Sequence, residues 1–454
     1  MRTVGHLLAL FAGLGILALW LMAAYKNLAL LDRDWVAFDR AGWRALSGDW
    51  SGVYRESGSE RWPYLYPPFA LPLSMPLGML PYQASYWLTV AMTLFALRWS
   101  CRRLRELTGS QQGRYLVYCG MLVFAPTTLQ VLVTGQYSAL YLVALCAMAT
   151  ADGSRWPSRP APPLLATAPQ LADPAHGSAG SPTGVLQRKL TADPALLSPS
   201  VRRASYCLVL LALKPNLAVF AALFLMLSGQ WQLLRRWVVS GLVVVAVTAP
   251  FAWAAWMDFV RAVGGVAQRQ ESGKAPVDKQ ATLLAFLRIL NGEQSGSTAI
   301  WALWLVLVLP LLILFGITCY RVGSHQRYRL RLVGVTALVM VAANPRLYFY
   351  DALVLAVPAA AWYLDRASYA RPRWRRCGGA ALAGVVVVSG VFFWFPAVAT
   401  SIGGLTALWA IVECLDLLRG AASVSLEPTY QRADDVLPVD PQPSSAGAPS
   451  VFSG

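Results

Sequence analysis

The chain has 454 residues, 57% of them hydrophobic and only 13% charged, with a mean hydropathy of +0.49 and a formal net charge of +16. Soluble globular proteins carry about 25% charged residues, so this composition excludes an ordinary cytosolic enzyme as well as disordered and collagen-like chains. Seven cysteines without CxxC spacing argue against a disulfide framework or a zinc site, and apolar runs that do not alternate exclude an outer-membrane barrel.

Crossing a hydrocarbon layer of ~30 Å takes about 20 helical residues, and apolar runs of that order recur along the chain. The first, 5–25, ends in Tyr25-Lys26 with no small-x-small cleavage pattern, so it reads as an uncleaved helix. A polar, aromatic-rich segment follows at 26–65. Within it, 34–47 places Trp35, Phe38, Gly42 and Leu46 at helical spacing, which predicts an amphipathic helix lying on the membrane surface with its aromatic face down. The Pro-punctuated stretch 66–81 reads as interfacial or re-entrant and leads into a crossing that ends near Leu97.

Further crossings are predicted at 115–133, 137–150, 237–256, 299–320, 331–345, 349–364, 378–396 and 399–418. The stretch 204–228 is broken at Lys214-Pro215 and reads as two short limbs meeting at the outer surface, because proline interrupts a helix and lysine avoids hydrocarbon. The sum is about 12 crossings with both termini inside. Arginines cluster between the runs, at Arg98, Arg102, Arg103 and Arg105, and again at Arg321, Arg327, Arg329 and Arg331. That is the pattern of the positive-inside rule rather than of a nucleic-acid surface, and nucleic acid is not an expected partner. The domain division expected is a polytopic membrane domain, 1–420, with a flexible cytoplasmic loop at 151–203, a second outer loop at 257–298 and a disordered tail at 421–454. Both non-membrane segments are too poor in large apolar residues to offset their ordering entropy.

In a polytopic chain the informative groups are polar residues at membrane depth and in large loops. The first outer segment carries Asp32-Arg33-Asp34-Trp35, Asp39-Arg40 and Asp49-Trp50, then Trp62-Pro63-Tyr64-Leu65-Tyr66. Asp34 stands where a carboxylate can cap the predicted helix; it can equally serve chemistry. The aromatic cluster fits an interfacial belt or a sugar platform.

Asp34-Trp35-x-x-Phe38-x-x-Ala41-Gly42, then Gly48 and Tyr54, then Tyr66-Pro67-Pro68-Phe69-Ala70, Pro76-Leu77 and Leu80-Pro81, resembles the start of glycosyltransferase family 87. Its members are integral-membrane glycosyltransferases of the glycosyltransferase-C type that use polyprenyl-phosphate sugars. The resemblance continues through Gly135-Gln136, Lys214-Pro215 and Asn344-Pro345-Arg346 to Tyr350-Asp351. It departs at Lys279-Gln280-Ala281-Thr282, where the family often has an Asn-Gln-Ser-like element.

The resemblance implies an all-α membrane fold and an inverting hexosyltransferase, commonly mannose-dependent, in a bacterial inner membrane. Its partners would be a polyprenyl-phosphate sugar donor, a glycolipid or polysaccharide acceptor, and membrane lipid. It implies no cofactor and no metal. It assigns Asp34 the role of general base. Lys214 and Arg346, with Arg40 as runner-up, are candidates for the leaving phosphate, and Tyr66, Gln136, Asn344, Tyr350 and Asp351 for hydrogen bonds to sugar or acceptor. Snorkelling explains Lys214 as readily, an interfacial anchor explains Arg346, and helix capping explains Asn344 and Asp351. Asp32, Asp39 and Asp49 stay open as alternative bases. A transporter or lipid flippase is the competing polytopic class, but it would place ionisable groups mid-helix along a pathway, where few are found. A scaffold subunit of an envelope-assembly machine stays open as a third.

Overall fold

The computed structural model describes residues 35–55, 64–123, 125–151, 199–271, 280–292, 297–323, 325–364 and 396–426, and these form helices joined by short connections. The described residues contain one isolated antiparallel bridge, between Gln280 and Tyr348. The expected crossings at 5–25 and 378–396 lie outside the described residues, as do Asp32, Asp34 and most of 151–203.

Helix α1, Trp35–Leu46, forms where the spacing predicts it. Its aromatic face does not lie on lipid. Trp35, Phe38 and Gly42 are buried inside the protein, while Leu46 and Trp43 are exposed. The reason is α2, Leu71–Gly78, which crosses α1 so closely that a Cβ built on Gly42 would sit 2.0 Å from the Ser74 carbonyl oxygen, and one on Gly78 would sit 2.1 Å from the Trp43 nitrogen. The two glycines let backbone touch backbone, so the apolar stripe is used up on protein. Gly42→Ala is therefore expected to force α1 off α2 and to destabilise the protein by about 3 kcal/mol, at the upper end for overpacking. A fall in thermal unfolding temperature in detergent is the check, and an unchanged one would show that the crossing yields freely.

Helix α3, Tyr82–Thr108, is followed by α4, Gln112–Val123, and α5, Pro126–Thr134. Then come α6, Ser138–Thr150, α7, Pro199–Val209, and α8, Pro215–Leu227. The break predicted at Lys214-Pro215 is present: Leu210–Leu213 tightens into a 3-10 turn, Lys214 is extended (φ −125, ψ 95), and Pro215 opens α8. Proline disfavours helical geometry in the residue before it and suits the first helical position.

Helix α9, Trp231–Glu271, kinks at Ala252 after Pro250 and runs on well beyond 256, into the segment expected as an outer loop. The remaining helices are α10, Leu283–Leu290, α11, Thr298–Val322, α12, Arg329–Ala342, α13, Ala356–Tyr363, and α14, Pro396–Leu426. Helix α14 packs against α10, α11 and α12, while α6 packs against α3 and α7.

Three helices among the described residues are long and apolar enough to cross a membrane: Trp231–Pro250, Thr298–Val322 and Ser401–Ala422. A fourth is formed if α4 and α5, bent by 51°, act together. Stretches predicted as crossings at 137–150 and 331–345 become shorter helices of 13 and 14 residues, and 349–364 becomes a 3-10 segment, Phe349–Leu355, running into the 8-residue α13. At 1.5 Å per residue neither α6 nor α12 exceeds ~21 Å. These two are apolar for a different reason, since α6 and α12 are wrapped by other helices and bury almost every residue. By contrast, α11 exposes Leu303, Val306, Leu309 and Ile313 along one side. Such a stripe of exposed large aliphatic groups calls for lipid rather than water.

Candidate active site

The polar centre of the molecule is assembled at helix ends. Helix α5 stops at Gly135, whose left-handed backbone (φ +68) also lies against the side of Trp35, where a Cβ would meet Trp35 Cβ at 2.4 Å. The chain then turns through Gln136 and Tyr137 and re-enters helix at Ser138, so residues 136–138 project their side chains from the gap between α5 and α6. Gln136 Oε1 accepts the Tyr66 hydroxyl at 2.8 Å, and Ser138 Oγ donates to Asp351 Oδ1 at 2.8 Å.

Asp351 lies in the first turn of the 3-10 segment Phe349–Leu355 and is 1% exposed. Its carboxylate receives Lys214 Nζ at 2.7 and 2.6 Å. The ammonium also lies 4.9 Å from the Tyr350 ring and 5.8 Å from that of Tyr141, which are cation–π distances. Lys214 thus points inward, into a carboxylate and two aromatic faces, rather than snorkelling outward. The extended conformation imposed by Pro215 is what aims it there.

The third arm follows α12. Pro345 stops that helix, and Asn344 closes a local turn in which its Oδ1 accepts the Arg346 backbone N–H at 2.9 Å. Asn216, two residues past Lys214, donates to Asn344 Oδ1 at 3.3 Å and to the Arg346 carbonyl at 3.1 Å. Asn344 Nδ2 is buried and closes no hydrogen bond. Beyond Arg346, Leu347 accepts the Ala281 N–H at 2.8 Å and Tyr348 bridges to Gln280. The segment that departs from the family pattern is therefore held directly against the 344–351 loop. Tyr348 stacks on Tyr350 with centroids 5.5 Å apart.

Tyr66 and Gln136, Lys214 with Asp351 and the Tyr350 ring, and Asn344 with Arg346 thus form three sets of contacts, although up to 137 positions separate the partners. Arg40 is exposed on α1 beside Asp39. Asp34 lies outside the described residues. Asp49 caps a single helical turn by accepting the Gly52 N–H at 2.9 Å, the ordinary role of a loop acid. Of the aromatic cluster, Tyr54, Tyr64 and Tyr66 are buried and pack with Phe38 and Tyr137, whose centroids are 4.4 Å apart, while Trp62 lies outside the described residues. Ser138 and Asn216 are participants that sequence reasoning missed. Each sits within two residues of a motif position, and adjacency was the only signal they offered. Among the described residues no group of three His, Cys, Asp or Glu side chains is placed to hold a metal ion.

The sequence pattern of glycosyltransferase family 87 matches residues 64–171 and 188–345, more than half of the chain. The chain belongs to glycosyltransferase family 87. No curated protein and no solved structure matches it. The family match takes in Tyr66, Gln136, Lys214 and Asn344 and ends one residue before Arg346, so most of these residues lie inside the matched stretch. This glycosyltransferase is a membrane protein whose polar centre is built from helix ends meeting within an apolar bundle.

Proposed function

We propose that this family 87 glycosyltransferase inverts the sugar it transfers, taking a hexose, mannose first, from a polyprenyl-phosphate donor. The acceptor is a hydroxyl of a glycolipid or polysaccharide, at the outer face of a bacterial cytoplasmic membrane. The observation that carries the reading is that residues of the family resemblance pair with one another at helix ends within apolar helices: Tyr66 with Gln136, Lys214 with Asp351, and Asn344 with the Arg346 backbone. Burying that many polar groups costs stability unless they act together.

In this reading Asp34 accepts the proton of the acceptor hydroxyl as its oxygen attacks the sugar C1. The C1–O bond to the phosphate breaks with inversion, and polyprenyl phosphate leaves with the bonding electron pair. Arg346, its backbone clamped by Asn344 and Asn216, stabilises the charge on the departing phosphate, with Lys214 beside it. The Asn344 Nδ2 donor is available to the sugar or the phosphate. Because Lys214 already neutralises Asp351, it contributes to phosphate binding only by sharing or exchanging that partner.

The test is direct. Purified protein in detergent, supplied with polyprenyl-phosphate mannose and octyl α-mannoside, is expected to release polyprenyl phosphate at a rate that EDTA leaves unaltered. Absence of release with mannosyl, glucosyl and pentosyl donors alike would overturn the reading.

A further inference from the structure

Burial alternates along the loop that follows α12. Leu347, Phe349 and Asp351 are buried, whereas Arg346, Tyr348 and Tyr350 are partly exposed. Side chains two residues apart on an extended chain share a side, and Tyr348 is extended (φ −77, ψ 157). Its ring stacks on that of Tyr350, with centroids 5.5 Å apart and planes 17° from parallel. The Lys214 ammonium stands 4.9 Å from the Tyr350 ring. A guanidinium and two parallel rings thus share the accessible side of this loop, with a second cation against Tyr350.

The backbone under the stack is held from several directions. The Ala281 N–H donates to the Leu347 carbonyl at 2.8 Å, Gln280 bridges to Tyr348, and the Asp351 N–H returns to the Tyr348 carbonyl at 3.0 Å. Thr282 then caps α10 by accepting the Ala285 N–H at 3.1 Å. Helix α14 passes so near at Gly403 that a Cβ there would strike the Thr282 backbone. A ring fixed in this way loses little further freedom when a flat ligand settles on it.

The chemistry restricts what that ligand is. A tyrosine face is apolar and carries the negative side of the ring quadrupole. It turns away a phosphate and takes the C–H face of a pyranose, whose hydroxyls project sideways. A prenyl chain also packs on rings, but here it would lie beside Arg346 and Lys214 and strip water from charge. A sugar whose phosphate reaches those cations meets both demands. We infer that Tyr348, backed by Tyr350, is the stacking platform for the hexose ring of the donor. The inference rests on the transferase reading above and adds to it the residue that grips the sugar rather than the phosphate.

The experiment measures initial rates of the purified full-length chain with polyprenyl-phosphate mannose as donor and octyl α-mannoside as acceptor, varying each in turn. It also measures inhibition by polyprenyl phosphate, which has the tail and the phosphate but no sugar. Tyr348→Leu keeps apolar bulk and removes the ring face. It is expected to raise the donor KM about fivefold, the size of one aromatic contact, with the acceptor KM and the polyprenyl phosphate inhibition constant within about twofold of wild type. Tyr348→Phe, which keeps the ring, should recover most of that loss. An unchanged donor KM in Tyr348→Leu overturns the platform. A parallel rise in donor KM and inhibition constant also overturns it, and makes the ring a seat for the prenyl chain. A Tyr348→Leu protein that fails to fold, or unfolds at a lower temperature with all three constants shifted, overturns it by making the stack structural. A wild-type protein inert toward every donor overturns the transferase reading, and this inference with it.

Discussion

Asp34→Asn is expected to abolish sugar transfer while the protein inserts, folds and purifies as wild type does. The substitution separates the two roles open to this carboxylate. As a helix cap, Asn is as good as Asp, since either side-chain oxygen accepts a backbone N–H at the start of a helix. If Asp34 only caps α1, whose first described residue is Trp35, the variant keeps its activity. As a base the amide is useless, because it has no proton affinity in the relevant range. Loss of a positioned general base lowers turnover by about 10²–10⁴-fold.

The measurement is polyprenyl phosphate release under saturating donor and acceptor, beside thermal unfolding of both proteins in the same detergent. Turnover within tenfold of wild type removes Asp34 from the chemistry.

What could be read from the sequence followed from local rules. Helix α1 was legible because Trp35, Phe38 and Gly42 repeat at helical spacing, and the break at Lys214 was legible because Pro215 constrains its predecessor. What covers an apolar face is not a local property. The α1 stripe looks the same whether lipid or α2 lies on it, and only Gly78, meeting Gly42 across 36 positions, decides the matter. The same limit governs the crossings. Helices α6 and α12 are as apolar as a membrane span because they are enclosed by protein, and periodicity alone does not distinguish the two environments.

At the site, several residues carrying the family resemblance pair with one another in the structure, but their pairings were not visible in the sequence. Lys214 was expected at an outer surface. Its partner Asp351 lies 137 positions away, and nothing near either residue announces the other. Ser138 and Asn216 are small polar residues without a periodic signature, although they complete the bonds of Asp351 and Asn344. In the sequence the Lys279–Thr282 departure stood out only as a mismatch with the family element. The structure gives it a place, since Gln280 and Ala281 pair with Tyr348 and Leu347.

Lys214→Met is expected to be the most destabilising single change at the polar centre. It leaves the Asp351 carboxylate, 1% exposed, with the Ser138 hydroxyl and no cation. Removing one partner of a buried ion pair costs about 3–5 kcal/mol, because the remaining charge stays desolvated. The same principle says that removing both partners can be nearly neutral. Lys214→Met combined with Asp351→Asn should therefore recover most of the lost unfolding temperature, and Asn retains an oxygen for Ser138.

The double variant isolates function from structure. If Lys214 also meets the donor phosphate, the restored protein should still show a raised donor KM, with a smaller effect on acceptor KM, because a neutral side chain stabilises no phosphate charge. Recovery of stability together with wild-type donor KM would make the pair a structural tie between the break at Lys214 and the 349–355 segment, and would leave Arg346 as the phosphate's cation. Failure of the double variant to regain stability would show that the two charges do not act on each other as the 2.6 Å contact implies.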